Sequence, residues 1–112
     1  MIWFREYNIE QVNSRGANTM VEHLGIKITE VGPNFLKGTM PVDHRTKQPA
    51  GLLHGGASAA FAETLASIAA NLCVNPEHEM CVGLEINCNH ISSCRDGEVS
   101  GLTRPLHRGS TT

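Results

Sequence analysis

The chain has no basic run. Its 9 Lys and Arg residues come singly or in separated pairs against 11 Asp and Glu, for a net charge of −2. That excludes the electrostatic footprint of a nucleic-acid binder and argues against attachment to an anionic membrane surface. The N-terminus, Met1-Ile-Trp-Phe-Arg-Glu-Tyr, lacks the apolar core and small-residue cleavage site of a signal peptide. The longest weakly polar stretch, Leu52 to Val74, is interrupted by His54, Glu63, Thr64, Ser67 and Asn71, which makes it a poor membrane span. No membrane partner and a cytoplasmic location are therefore expected. Cys73, Cys81, Cys88 and Cys94 form no C-x-x-C pair, and Cys88, His90 and Cys94 match no strong zinc-ligand spacing. Reduced thiols acting as small hydrophobes are the simpler reading.

One absence is local. Between Lys47 and Glu77 the only charged side chain is Glu63. It stands in an alanine-rich helical pattern, with Ala59, Ala60 and Ala66 at i−4, i−3 and i+3, so it has no cation within a turn. Such a carboxylate is either on a solvated face or held in an apolar site for chemistry, and by frequency alone the solvated face is the commoner outcome.

What is present is an ordinary globule: 112 residues with 40% hydrophobic and 18% charged content suit one domain with one core. Asn8 is placed to cap a short helix over Ile9 to Arg15. Asn18 is placed to cap another over Thr19 to Leu24, ended by Gly25. Ile26 to Val31 alternates as a half-buried strand, Gly32-Pro33-Asn34 turns, and Phe35 to Val42 returns as a second strand. Asp43 to Gly51 reads as a loop. Ala57, Phe61, Thr64, Leu65, Ile68 and Leu72 recur at helical spacing, which predicts a long helix from His54 or Gly55 to about Cys73. Met80 to Ile91 reads as a strand with Val82, Leu84, Ile86, Cys88 and His90 on one face. Arg95-Asp96-Gly97 turns into a last strand over Glu98 to Arg104. The expected class is α+β, an antiparallel sheet curved around one central helix.

The start of the long helix, His54-Gly55-Gly56, offers unpaired N–H groups and a positive dipole end to a developing oxyanion. Glu63 lies eight residues further along, about 12 Å away at 1.5 Å per residue. No single carbonyl carbon can sit near both, so a shared reaction centre requires two subunits of a symmetric dimer. Glu63 would serve as nucleophile or general base in acyl transfer. Ser67, at i+4, lies on its face of the helix. Gln48 and His54 can donate to a carbonyl oxygen, and His90 can contact an acyl group. Each has an ordinary alternative: a solvated helix glutamate, a plain loop-to-helix junction, a helix serine, a loop glutamine, a half-buried histidine.

Thr39-Met-Pro-Val-Asp43, Arg45-Thr-Lys-Gln-Pro49, Gly51-Leu-Leu-His-Gly-Gly-Ala-Ser58, Ala62-Glu63 and Val82-Gly-Leu-Glu-Ile-Asn87 with Asn89-His90 together resemble the hotdog-fold acyl-CoA thioesterases, 4-hydroxybenzoyl-CoA type with a helix glutamate. The likeness runs from Met1 to about Ser110. It implies hydrolysis of an aromatic acyl thioester, such as a dihydroxynaphthoyl-CoA, carried on CoA or a carrier protein, without metal or cofactor. It implies Glu63 as nucleophile or base, Gln48, His54 and the Gly55 N–H as carbonyl-polarising groups, and Ser67 and His90 as supporting positions. Gly83 and Leu84, with His107, Gly109 and Ser110, match regions near the CoA moiety. A site across a homodimer interface, paired through the strand around Val82 to Ile86, is implied too, with dimers assembling into a tetramer. Family members continue past the position of Ser110 with two more long strands, so the resemblance implies a single hotdog domain over residues 1–112 that is incomplete on its C-terminal side. Two other classes fit less of the pattern. A hydroxyacyl-thioester dehydratase needs a His base at the acyl carbons, and a non-catalytic acyl-CoA-binding or oligomerisation module has no need of the polar set at Gln48, His54, Glu63 and Ser67.

Overall fold

The computed structural model describes residues 1–112. Two short helices come first, α1 (Ile9–Ser14) and α2 (Met20–His23), followed by strands β1 (Lys27–Val31) and β2 (Leu36–Pro41), the long helix α3 (Gly55–Leu72) and strand β3 (Glu98–Thr103). The strands form one antiparallel sheet in the order β1-β2-β3. The α+β, hotdog-type arrangement of one long helix on an antiparallel sheet agrees with expectation, but one strand follows the helix where two were expected. Asn8 caps α1 through a reciprocal capping box with Gln11. The cap of α2 is Thr19 instead of Asn18: Asn18 takes a left-handed φ of 61° just outside the helix, where a short polar side chain is tolerated.

Helix and sheet meet closely because the sheet supplies the small residues. Gly38 and Gly101 are cross-strand partners, and a Cβ on either would collide with a Leu65 methyl, at 2.8 Å and 2.7 Å. Leu65 and Phe61 fill the trough these glycines leave, and with Leu72 they join Ile28, Leu36 and Met40 in the buried core. Glu63 is two residues from both Phe61 and Leu65, about 200° around the helix from each. Burying those two therefore turns the carboxylate away from the sheet.

The expected strand over Met80 to Ile91 is not laddered. From Met80 to Ser93 the chain makes no backbone–backbone hydrogen bond, and Val82, Leu84 and Ile91 are 77%, 89% and 94% exposed. Alternating apolar residues give a segment strand propensity, but a strand exists only where a neighbouring backbone pairs with it. None lies alongside here. The segment instead tracks α3 from its C-terminal end to its N-terminal end. Cys81 sits at Asn71, Gly83 at Glu63 and His90 at Gly55, and the Cys94 carbonyl accepts from Leu53 N–H at 2.8 Å. Cys81 and Gly83, not Val82 and Leu84, face the helix. No helix is long and apolar enough to cross a membrane.

Candidate active site

Residues 43–54 form a built platform rather than a free loop. Asp43 accepts from the Arg45 side chain at 2.7 Å and from its N–H at 3.0 Å. Those bonds hold the Asp43 carboxyl down at a pKa of about 2. Buried Thr46 closes the turn, donating from Oγ1 to the Pro41 carbonyl at 2.7 Å. Beyond it the chain doubles back: Gln48 N–H donates to Leu52 O, and His54 N–H to Thr46 O, each at 2.8 Å. Gly51, with φ of +84°, makes the tip.

This platform leaves donors free at the start of α3. The Gln48 side-chain oxygen is occupied by Ala50 N–H, which leaves its NH2 group available. His54 is the N-cap, its Nδ1 accepting from Gly56 N–H at 2.8 Å. A neutral ring accepting there carries its proton on Nε2, so His54 also presents a donor. Gly55 N–H has no partner within the chain. The His90 imidazole covers Gly55 so closely that a Cβ would lie 3.1 Å from Nε2. His54, Gly55 and His90 are thus gathered at one end of the helix, and Gln48 lies on the platform that leads into it.

Glu63 is elsewhere. It is half-buried, makes no salt bridge, and accepts from Ser67 Oγ at 3.4 Å. Gly83 presses on it so tightly that a Cβ would overlap Oε1. Glu63, Ser67, Cys81, Val82, Gly83 and Glu85 line a cavity of about 190 Å³ together with Ala66 and Ala70. A larger apolar cavity of about 280 Å³ shares Ala66, Ala70 and Cys81, extends under Trp3 and Cys73, and is rimmed by Arg104, His107, Arg108 and Gly109. Burial pushes the Cys73 thiol pKa up, and Arg108 opposes this. His107 and Gly109 therefore belong to a cavity adjoining the Glu63 pocket. Leu84 and Ser110 are exposed and line neither. No group of three or more His, Cys, Asp or Glu side chains is arranged to hold a metal ion.

Asn71, noted above only as a polar interruption of the Leu52 to Val74 stretch, belongs beside the Glu63 carboxylate. It stands at i+4 from Ser67 and i+8 from Glu63, so all three lie along one face of α3, and that spacing was a usable signal. Its side chain makes three hydrogen bonds.

The donor-rich helix start and the cationless carboxylate are groups that acyl transfer calls for, and they stand at separate places on one helix. Comparison with known proteins agrees in class. The thioesterase superfamily model matches residues 50–112. The chain is 51% identical over 110 residues to the 1,4-dihydroxy-2-naphthoyl-CoA hydrolase of Escherichia coli, covering 98% of this chain and 80% of that protein. It is 50% identical over 109 residues to the proofreading thioesterase EntH of Cronobacter sakazakii, covering 97% and 79%. Among solved structures, a Pseudomonas aeruginosa thioesterase superposes with a TM-score of 0.95 at 42% identity, over 98% of this chain and 79% of that one. The chain belongs to the thioesterase superfamily. It is a thioester hydrolase.

Proposed function

We propose that this enzyme hydrolyses aromatic acyl-CoA thioesters of the dihydroxynaphthoyl kind, with Glu63 of one subunit acting on a thioester carbonyl held by Gln48, His54 and Gly55 of a second. One observation carries this reading. The half-buried Glu63 carboxylate has Ser67 as its side-chain donor, while the free donors lie about 12 Å away along the same helix. Each half lacks what the other has. The thioester oxygen would take bonds from Gly55 N–H and the side-chain donors as charge develops on it. Glu63 would either deprotonate a water that attacks the carbonyl, or attack it directly to form a mixed anhydride that water then hydrolyses; in both cases the C–S bond breaks and the thiolate leaves. The exposed, unladdered Val82–Ile86 stretch offers both an apolar face and free backbone groups to a second copy. The substrate class draws support from the E. coli hydrolase, half of whose aligned residues this chain shares.

Glu63→Gln is expected to lower kcat roughly 1,000-fold with the fold intact. Mixing inactive Glu63→Gln with inactive His54→Ala protein tests the two-subunit site. A mixed dimer holds one site with both native halves, so activity should return to about a quarter of the wild-type level. No recovery after verified subunit exchange would place the whole site within one chain. Single turnover in isotopically heavy water separates the roles of Glu63, because label in the carboxylate marks it as nucleophile.

A further inference from the structure

We propose that Asn71 is a positioning residue for the carboxylate: by clamping the backbone of Cys81 it sets Gly83 against Glu63 and thereby holds Glu63 in its reactive orientation. This rests on the reading of Glu63 as the catalytic group. The Asn71 carboxamide donates from Nδ2 to Cys81 O at 3.0 Å and accepts Cys81 N–H on Oδ1 at 2.8 Å. A carboxamide carries the same donor and acceptor as a peptide group, so this exchange imitates one hydrogen-bonded pair of an antiparallel ladder. The second Nδ2 proton goes to the Ser67 carbonyl at 2.9 Å, one turn back, which fixes the side chain on the face that carries Ser67 and Glu63. No other hydrogen bond ties the backbone between Met80 and Ser93 to the rest of the chain.

Residues two apart in an extended chain point the same way. Cys81 faces α3, with Sγ 3.6 Å from the Ala70 carbonyl, and Gly83 consequently faces it too, in contact with Oε1 of Glu63. The contact restricts where the carboxylate can lie while Ser67 holds it from below. Releasing Cys81 would free Gly83 to drift, and a displacement of about 1 Å at a reacting group can cost 100-fold in rate.

The test compares kcat, KM and thermal midpoint for Asn71→Ala, Glu63→Gln, the double variant and Asn13→Ala, using an aromatic acyl-CoA thioester. Asn71→Ala is expected to lower kcat about 10- to 100-fold with KM nearly unchanged. The double variant should be no slower than Glu63→Gln alone, because Asn71 acts through Glu63. Asn13→Ala, which removes a similar clamp far from the site, should shift the thermal midpoint and leave kcat alone. Asn71→Ser serves as a second arm if the alanine variant does not fold, with a fall in kcat expected there as well. Unchanged kcat in folded Asn71→Ala or Asn71→Ser, with Glu63→Gln inactive, would overturn the role of Asn71. A double variant slower than Glu63→Gln by the full factor of Asn71→Ala would do the same. A fully active Glu63→Gln would overturn the reading beneath it instead.

Discussion

The chain uses the same device twice, in two different settings. Asn13 on α1 donates to Ile28 O at 2.9 Å and accepts Ile28 N–H at 2.8 Å, as Asn71 on α3 does with Cys81. Ile28 belongs to β1, whose other edge is laddered to β2, and its side chain is 2% exposed in the core. There the asparagine covers the outer edge of a strand that already exists, beside the bulge between Ile28 and Glu30. Cys81 belongs to a segment with no ladder within the chain, so there the asparagine supplies the only hydrogen bonds from the segment's backbone to the rest of the chain. An identical pair of bonds should therefore serve stability in one place and geometry in the other. A carboxamide clamp adds to what is already ordered around it, so the surroundings decide its consequence.

The largest effect that would sharpen this contrast is expected at Gly83. A methyl group there would overlap Oε1 of Glu63, and the atom it meets is the far end of a flexible side chain. The side chain can swing away at small cost in stability, but only by leaving the orientation that Ser67 and Gly83 define. Gly83→Ala is expected to lower kcat about 100-fold while the thermal midpoint moves little. Steady-state kinetics beside a thermal melt would check it. A large fall in the midpoint with kcat retained would mean that the segment is structural in the way β1 is.

A smaller and opposite effect is expected from Asn13→Ala. It removes two part-buried hydrogen bonds from a strand whose side chains are in the core, at a cost of about 1–2 kcal/mol. That should lower the thermal midpoint by about 5 °C with kcat unchanged. The spacing put Asn71 on the Glu63 face of the helix, but neither asparagine was legible as a clamp, because an Asn in a helix carries no local sign of what it pairs with across the fold. Much else was readable from local pattern. The bounds of α3, the Asn8 cap, the two strands of the first hairpin and the Glu63–Ser67 pairing all follow from periodicity, capping chemistry and i,i+4 spacing. Met80 to Ile91 was misread because alternation reports what a strand would look like once paired, and pairing depends on backbone elsewhere. The order of the 43–54 platform escaped notice for a related reason. Polar residues with Pro49 and Gly51 read as a loop, and only the bonds of Thr46 to Pro41 and of His54 to Thr46 show it to be hydrogen-bonded.

Acid separates the platform from the clamps, since carboxamides do not titrate and Asp43 does. Its carboxyl is held at a pKa of about 2 in the folded chain, against an ordinary value of 3.8, first by the hydrogen bonds from the Arg45 side chain and then by its N–H. A carboxyl whose folded pKa is lowered contributes stability above its unfolded value and loses it as pH falls through the folded one. The contribution should therefore be complete above about pH 4 and fade toward pH 2. The group is solvent-facing and screened, so the effect on global stability is expected to be the smallest of those described here. Its local consequence is more specific. Protonation weakens the turn that leads through Thr46 to His54, so amide exchange at Thr46 and His54 should quicken between pH 4 and 2 relative to Ile28 and Cys81, after correction for intrinsic rates. Asp43→Asn should remove that pH dependence while leaving neutral-pH kcat within a few-fold of wild type. Equal acid sensitivity at all four amides would show that the platform and the clamped segments open as one unit.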